Sequence, residues 1–359
     1  MKFARLCFAI TFVVGISATA YPDSDIEAVE IDQRAIIADV LEVFENRYVF
    51  ADVAAEMAAY VRGKLDSGEY EALTNIDSLA DQLTRDLREI SKDGHIIVYR
   101  IQSGAFFKAD DENLSEEEVI QHARDNFGFR AVKRLTGNVG YLRFDYFDYA
   151  EFGGSTATAA MTFVANCDAL IFDLRENSGG REEMVQFLFS YLFGPSFPLI
   201  TFYDRNNEVV HQTHSLAYVP GPRLPDIPVY VLTSGRTASA AEAFTYNLQS
   251  HERATIVGEN TLGIAHWIDV VDLTDHDIRV NVPYARPVSA ATGGNWEGKG
   301  VIPDIETSAA NALGIAHVHA LEKLLEACTD CLLYTSPSPR DRSAYLVCRL
   351  LLEKRGGGG

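Results

Sequence analysis

The segment GRTASAAEAF, residues 235–244, contains a serine that could act as a nucleophile. It follows the apolar run PVYVLTS, which predicts a buried strand, and it opens an alanine-rich stretch that predicts a helix. Ser239 and Glu242 also fit a capping box, in which the two side chains satisfy backbone donors of the first helical turn. A nucleophilic Ser239 instead requires a base within hydrogen-bond reach and donors for an oxyanion.

A second predicted strand-to-helix junction, DLRENSGGREE, could supply those donors. Consecutive Gly179 and Gly180 would let the backbone turn tightly and approach a ligand closely, although an ordinary tight turn has the same pattern. The N-terminus of a helix presents unpaired N–H groups with partial positive charge. The candidate oxyanion donors are therefore the backbone N–H groups of Gly179, Gly180 and Ala240.

Composition limits the function classes. The chain has 359 residues, of which 47% are hydrophobic, so it can bury one large core or two modest ones. Its formal net charge of −20 gives no electrostatic footprint for nucleic acid or anionic membranes. The five cysteines form neither a disulfide framework nor a zinc constellation. We expect no metal and no organic cofactor.

Both ends of the chain differ from its body. Lys2 and Arg5 precede the apolar run LCFAITFVVGI, and Ala18-Thr19-Ala20 has the small-residue pattern of a cleavage site. Together they predict a secretory signal over residues 1–20. No later segment has the ~20 apolar residues that span a bilayer. We therefore expect an exported protein, periplasmic or extracellular, with no membrane insertion. Residues 331–359 resemble translated adapter or vector sequence, and we exclude them from the fold.

Residues 21–92 are predicted to form a small N-terminal helical domain. Apolar residues recur there at four-residue spacing: Ile36, Val40 and Phe44, then Leu79, Leu83 and Leu87. Ser78 with Asp81 predicts the start of the second of these helices. Residues 103–125 are polar and acidic and are predicted to form a surface arm or a lid, with a short helix from Ser115.

Residues 93–315 are predicted to form an α/β core. Five β-rich runs, GYLRFDYF, ALIFDLR, PVYVLTS, RATIVGE and IRVNVPYA, alternate in part with helical stretches. This alternation indicates βαβ units and a largely parallel sheet flanked by helices.

Four blocks in order then carry a family resemblance: SKDGH (91–95), DLRENSGG (173–180), TSGRTASAAEAF…RATIVGENTLG (233–263) and NWEGKGVIPDI (295–305). Together they resemble the C-terminal-processing (tail-specific) serine peptidases, which share a clan with the tricorn core protease. The likeness is closer to the branch containing interphotoreceptor retinoid-binding protein, and it covers roughly residues 30–310. It implies a crotonase/ClpP-like core with Ser239 as the nucleophile.

The sequence departs from the family at the base. Bacterial processing peptidases have a lysine after the glycine of the GE-x-T-x-G block, whereas this chain has Ile264. The resemblance to the tricorn-like branch implies a histidine and a glutamate instead, which match His95 and Glu297. Tricorn has a serine just before its histidine, where this chain has Gly94. His266 is an alternative base or a substrate contact.

These observations predict an exported serine peptidase that cleaves peptides or unfolded protein segments through an acyl-enzyme. His95 would take the proton from Ser239, and Glu297 would orient the imidazole. The alternative is a catalytically inactive binder of hydrophobic ligands such as retinoids or lipids on the same scaffold. A third reading, esterase or amidase action on small molecules, uses the same machinery. Cleavage preference and oligomeric state are not predicted.

Overall fold

The computed structural model describes residues 31–101 and 114–327. The predicted signal, the predicted foreign tail and the first part of the acidic arm lie outside the described residues. None of the helices in these two ranges is long and apolar enough to cross a membrane.

Eight α-helices and eleven β-strands are found in the described ranges. The helices are α1 (Gln33–Arg47), α2 (Ala51–Asp66), α3 (Ile76–Ser91), α4 (Glu116–Arg124), α5 (Ala150–Val164), α6 (Glu182–Phe189), α7 (Ala240–Ser250) and α8 (Ala309–Ala327). The strands are β1 (Ile97–Arg100), β2 (Phe129–Leu135), β3 (Val139–Phe144), β4 (Ala169–Asp173), β5 (Pro198–Tyr203), β6 (Val209–His214), β7 (Val229–Thr233), β8 (Thr255–Gly258), β9 (Trp267–Leu273), β10 (Ile278–Ser289) and β11 (Ile305–Glu306).

The N-terminal part is helical, as predicted. Both apolar stripes face inward, since all six of their residues are buried in one cluster with β1 and β10. The helix predicted to start at Ser78 starts earlier, at Ile76, because the Asn75 side chain accepts the Ser78 N–H and caps it. The short helix of the acidic arm has the predicted start, with Ser115 and Glu118 forming a capping box.

A six-stranded sheet in the order β11-β8-β7-β4-β3-β2 forms the core. Every pairing is parallel except that of β2 with β3, which confirms the prediction of a largely parallel sheet. The strands β4 and β7 are buried at every residue because helices cover both faces. Their carboxyl ends lead into the two junctions singled out in the sequence, so those junctions lie side by side.

A second, antiparallel sheet was not predicted. Strand β10 pairs with β1, β5 and β9, and β6 pairs with β5. Through β1 and β9 this sheet holds the segments that directly follow His95 and His266. The predicted end of the core at residue 315 falls inside α8, which continues to Ala327. The core therefore extends beyond 315, because Ala312, Ala316 and Ala320 are buried against the parallel sheet.

Candidate active site

Ser239 lies at the turn between β7 and α7, in a strained backbone conformation. Its φ is +52° and its ψ is −119°, a region that L-residues rarely adopt. The Ala238 N–H donates to the Asn177 carbonyl at 3.1 Å, which joins this turn to the glycine junction. The predicted capping box is present, and in it Glu242 accepts the Ser239 N–H at 2.9 Å.

His95 lies between the end of α3 and the start of β1, and its imidazole reaches the serine. The distance from His95 Nε2 to Ser239 Oγ is 3.0 Å, across 144 positions of sequence. Arg88, on α3, donates to the carbonyls of Gly94 and Ile96 at 2.6 and 2.7 Å and so fixes the turn that carries the histidine.

Asp93, which sequence analysis did not single out, organises the same turn. Its Oδ1 accepts the His95 N–H at 3.0 Å, and its Oδ2 lies 2.6 Å from His266 Nδ1. The Tyr48 hydroxyl donates to the same carboxylate at 3.2 Å. Asp93 belongs to the SKDGH block, which could have marked it as a candidate site residue. Nothing in that block indicates that a later histidine would pair with Asp93.

Glu297 approaches the same nitrogen of His266 as Asp93 does. Its Oε2 accepts the Ala265 N–H at 2.6 Å and lies 3.6 Å from His266 Nδ1. The predicted direct contact between Glu297 and His95 is not made: within the described ranges, His95 Nδ1 has no hydrogen-bond partner. His266, the alternative base, contacts the carboxylates of Asp93 and Glu297, whereas the histidine in contact with Ser239 Oγ is His95.

The electrostatics divide the two histidines. Burial lowers the pKa of His95 to about 4. The positive charges of His266 and Arg88 lower this pKa further, whereas the negative charge of Asp93 raises it. Burial also acts to lower the pKa of His266, but the hydrogen bond and charge of Asp93, with Glu297, outweigh it and raise that pKa. Near neutral pH, His95 is therefore a neutral base, whereas His266 favours its charged form.

The acidic partners differ in the same way. Burial opposes ionisation of Asp93, but His266 and the His95 backbone hold its pKa below the usual value. Burial raises the pKa of Glu297 to about 7, and the charge of Asp93 adds to that effect. The group Asp93, His266 and Glu297 thus carries a net charge near −1 when Glu297 is ionised.

The same three side chains are the kind that bind a divalent ion, since one ligand atom from each lies within 4.8 Å of the others. No local sequence pattern indicates such a group, because its members are far apart along the chain. The 2.6 Å contact between His266 Nδ1 and Asp93 instead describes an ion pair within the group.

The glycine junction packs directly against the serine. Gly179 and Gly180 have φ of +107° and +126°, and a Cβ on Gly179 would lie 2.8 Å from the Ser239 Cβ. The Gly179 N–H donates to Asn177 Oδ1 at 2.9 Å, so it is not available to an oxyanion in this arrangement. The N–H groups of Gly180 and Ala240 donate to no other group of the described residues.

Gly94 and Ile264, the two departures from the family pattern, face each other. A Cβ on Gly94 would lie 2.5 Å from Ile264 Cγ2. Ile264 therefore occupies the space that a side chain at position 94 would need, so the isoleucine at 264 requires a glycine at 94.

Two family descriptions match this chain. Peptidase family S41 matches residues 138–307, and the N-terminal domain of Peptidase_S41 in eukaryotic IRBP matches residues 23–126. Together they cover the helical part and the α/β core that carries Ser239. The chain therefore belongs to peptidase family S41, as the four sequence blocks predicted.

Individual relatives agree with this membership. The carboxy-terminal-processing protease of Bartonella bacilliformis is 29% identical over 195 residues, which cover 52% of this chain and 43% of that protein. The chain thus spans less than half the length of this curated relative. A lipoprotein from Streptococcus agalactiae has a similar structure, with a TM-score of 0.56 at 16% identity, over 81% of this chain and 96% of that one. The photosystem II D1 C-terminal processing protease gives 0.50 at 15% identity, over 78% and 94%. At these identities the two structures support the fold alone.

Proposed function

We propose that this protein is an exported serine peptidase that cleaves peptides or unfolded protein segments through an acyl-enzyme. The observation that carries the proposal is the 3.0 Å distance between His95 Nε2 and the Oγ of a serine in a strained turn. Membership of family S41 and the similarity to a carboxy-terminal-processing protease support the same activity. The site uses only side chains and backbone of this chain.

In the first half-reaction, Ser239 attacks the scissile carbonyl while neutral His95 accepts the hydroxyl proton on Nε2. The low pKa of His95 keeps this nitrogen unprotonated at neutral pH. The imidazolium then gives the proton to the leaving amine, and the acyl group remains on Ser239. In the second half-reaction, His95 accepts a proton from a water that attacks the acyl carbonyl. The imidazolium then returns that proton to Ser239 Oγ as the C–Oγ bond breaks and the carboxylic acid product leaves.

The oxyanion formed in each half-reaction would accept hydrogen bonds from Gly180 and Ala240. We infer these two donors because their N–H groups are unused and flank Ser239, whereas Gly179 donates to Asn177. Loss of one such donor typically costs about 3 kcal/mol of transition-state stabilisation.

Asp93 and Glu297 would stabilise the imidazolium by charge. Asp93 holds His95 through its backbone N–H and is the carboxylate whose charge favours protonated His95. Glu297 and Asp93 both lie at His266 Nδ1, so the three groups together carry a net negative charge when Glu297 is ionised. Glu297 therefore acts through His266 rather than as the direct third member of a triad.

The hydrophobic-ligand alternative is not favoured. A binding protein gains nothing from a base in contact with a serine hydroxyl, and the retinoid-binding relatives share only the scaffold. Esterase or amidase action uses the same steps on other substrates, and substrate profiling separates it from peptidase action.

The proposal is tested with the full chain and an unfolded protein substrate, such as reduced and alkylated casein, with product analysis by mass spectrometry. Wild type should release peptides, and Ser239→Ala should release none while keeping its thermal unfolding transition. Ser234→Ala is a matched control, since Ser234 precedes the same turn but its hydroxyl donates to the Arg175 carbonyl. Equal cleavage by wild type and Ser239→Ala would refute the proposal.

A further inference from the structure

We propose that Glu242 is the positioning residue that holds the nucleophile turn and the loop behind the base in one fixed arrangement. This inference rests on the proposed function. It assigns to Glu242 more than the helix-capping role that its sequence position indicates.

The first observation concerns the nucleophile. The Glu242 side chain is fully buried, and its Oε2 accepts the Ser239 N–H at 2.9 Å. A φ of +52° at a serine persists only where surrounding contacts enforce it. This hydrogen bond acts on the strained residue itself.

The second observation concerns the loop between β8 and β9, residues 259–266. Glu242 Oε2 also accepts the Ile264 N–H at 3.0 Å, and its Oε1 accepts the Gly263 N–H at 2.6 Å and the Thr261 hydroxyl at 2.5 Å. One carboxylate therefore receives four donors, of which three belong to this loop. The Thr261 hydroxyl in turn accepts the Val301 N–H at 2.6 Å, which adds the block that contains Glu297.

The loop lies directly behind the catalytic base. The Ile264 side chain lies directly beside Gly94, so that a Cβ on the glycine would clash with it. Two residues later, His266 pairs with Asp93, and the Asp93 carboxylate accepts the His95 N–H. A displacement of the loop would therefore move the turn that carries His95. Glu242 connects the serine side of the His95–Ser239 contact to the histidine side.

Only a carboxylate fits this arrangement. Both oxygens face donors, so the site requires an acceptor at each position. A glutamine would turn an amide NH₂ toward at least one backbone N–H and leave buried donors unpaired. Glu242→Gln is therefore a nearly isosteric change that should release one side of the connection.

The experiment compares Glu242→Gln with the matched control Glu259→Gln. Glu259 lies in the same loop, but among the described residues its Oε1 accepts the Ala309 N–H at the start of α8 and no donor of the loop. For Glu242→Gln we expect kcat on a peptide substrate to fall about 100-fold at 25 °C, with KM changed less than about threefold. Amide hydrogen exchange should become faster in peptides covering 237–244 and 260–266 together. Glu259→Gln should change neither kcat nor the amide hydrogen exchange of those two segments.

The outcomes separate this inference from the proposed function. Wild-type kcat and wild-type exchange in Glu242→Gln would overturn the positioning role, even if the protein is a peptidase. An inactive wild type would refute the proposed function, while the exchange data would still decide whether Glu242 holds both segments. If Glu242→Gln does not fold, Glu242→Asp keeps the charge but is one methylene shorter. It should fold and show faster exchange in both segments, and unchanged exchange would contradict the inference.

Discussion

Substitution of Gly94 by alanine tests the packing behind His95, the proposed catalytic base. A Cβ at this position would lie 2.5 Å from Ile264 Cγ2, whereas carbon atoms in contact prefer about 3.5–4.0 Å. One of the two segments must therefore shift by about 1 Å. The isoleucine cannot yield easily, because a β-branched side chain is stiff at χ1 and its backbone is held by Glu242 and by Trp296 Nε1.

The magnitude follows from this clash. Overpacking typically costs about 1–3 kcal/mol, so we expect the free energy of unfolding to fall by about 2 kcal/mol in Gly94→Ala. Because Gly94 precedes His95, a shift of about 1 Å would also misplace the imidazole, and kcat should fall by about 100-fold.

The assay is a double-mutant cycle measured by urea denaturation and by peptide cleavage. Ile264→Ala removes the opposing methyl group. The free energy of unfolding that the double variant Gly94→Ala/Ile264→Ala loses should therefore be about 1–2 kcal/mol smaller than the sum of the losses of the two single variants. The double variant should also regain part of kcat. Additive effects on stability, or a Gly94→Ala variant with wild-type stability and activity, would refute the packing argument.

Three further predictions concern the charges and the backbone of the site. In wild type, kcat/KM should rise as pH increases through about 7, because ionisation of Glu297 gives its group a net negative charge, whereas His95, with a pKa of about 4, is already neutral there. Glu297→Gln should lose that step in the pH profile, and a retained step would exclude Glu297 as its source. Asp93→Asn leaves a buried charged histidine with less compensation and should lower the free energy of unfolding by about 3 kcal/mol, measured by urea denaturation, with a large loss of kcat. Gly180→Ala would place a Cβ 2.1 Å from the Phe147 carbonyl oxygen, at a φ of +126°. The substitution should therefore lower the urea denaturation midpoint strongly. A wild-type midpoint would contradict the backbone geometry described for the glycine junction.

The sequence predicted the parts of the fold that depend on local pattern. The helix over 240–250 and the strands β4 and β7 were visible because continuous apolar runs and small-residue turns mark them. The stripe from Leu79 to Leu87 was visible because its spacing matches one face of a helix. The antiparallel sheet was missed because its strands lack a strict alternation of buried apolar and exposed polar residues. Strand β6 is mostly exposed, and β5 and β9 are rich in apolar residues but do not alternate.

The site was predictable only in part. The blocks identified Ser239 and His95 as candidates, and their assignment as nucleophile and base stays a prediction that the 3.0 Å distance supports. The role of Asp93 depends on a contact with His266 across 173 positions, which no local pattern encodes. The donor at Gly179 could not be judged either, because its use by Asn177 depends on the turn's three-dimensional geometry.

The central claim is that His95 activates Ser239. The most direct measurement is the rate at which a fluorophosphonate labels the full-length protein, with the modified residue mapped by mass spectrometry. We expect a single adduct on Ser239 in wild type, a loss of at least about 100-fold in the rate for His95→Ala, and measurable labelling in His266→Ala. An adduct on another residue, or undiminished labelling in His95→Ala with loss in His266→Ala, would contradict the account.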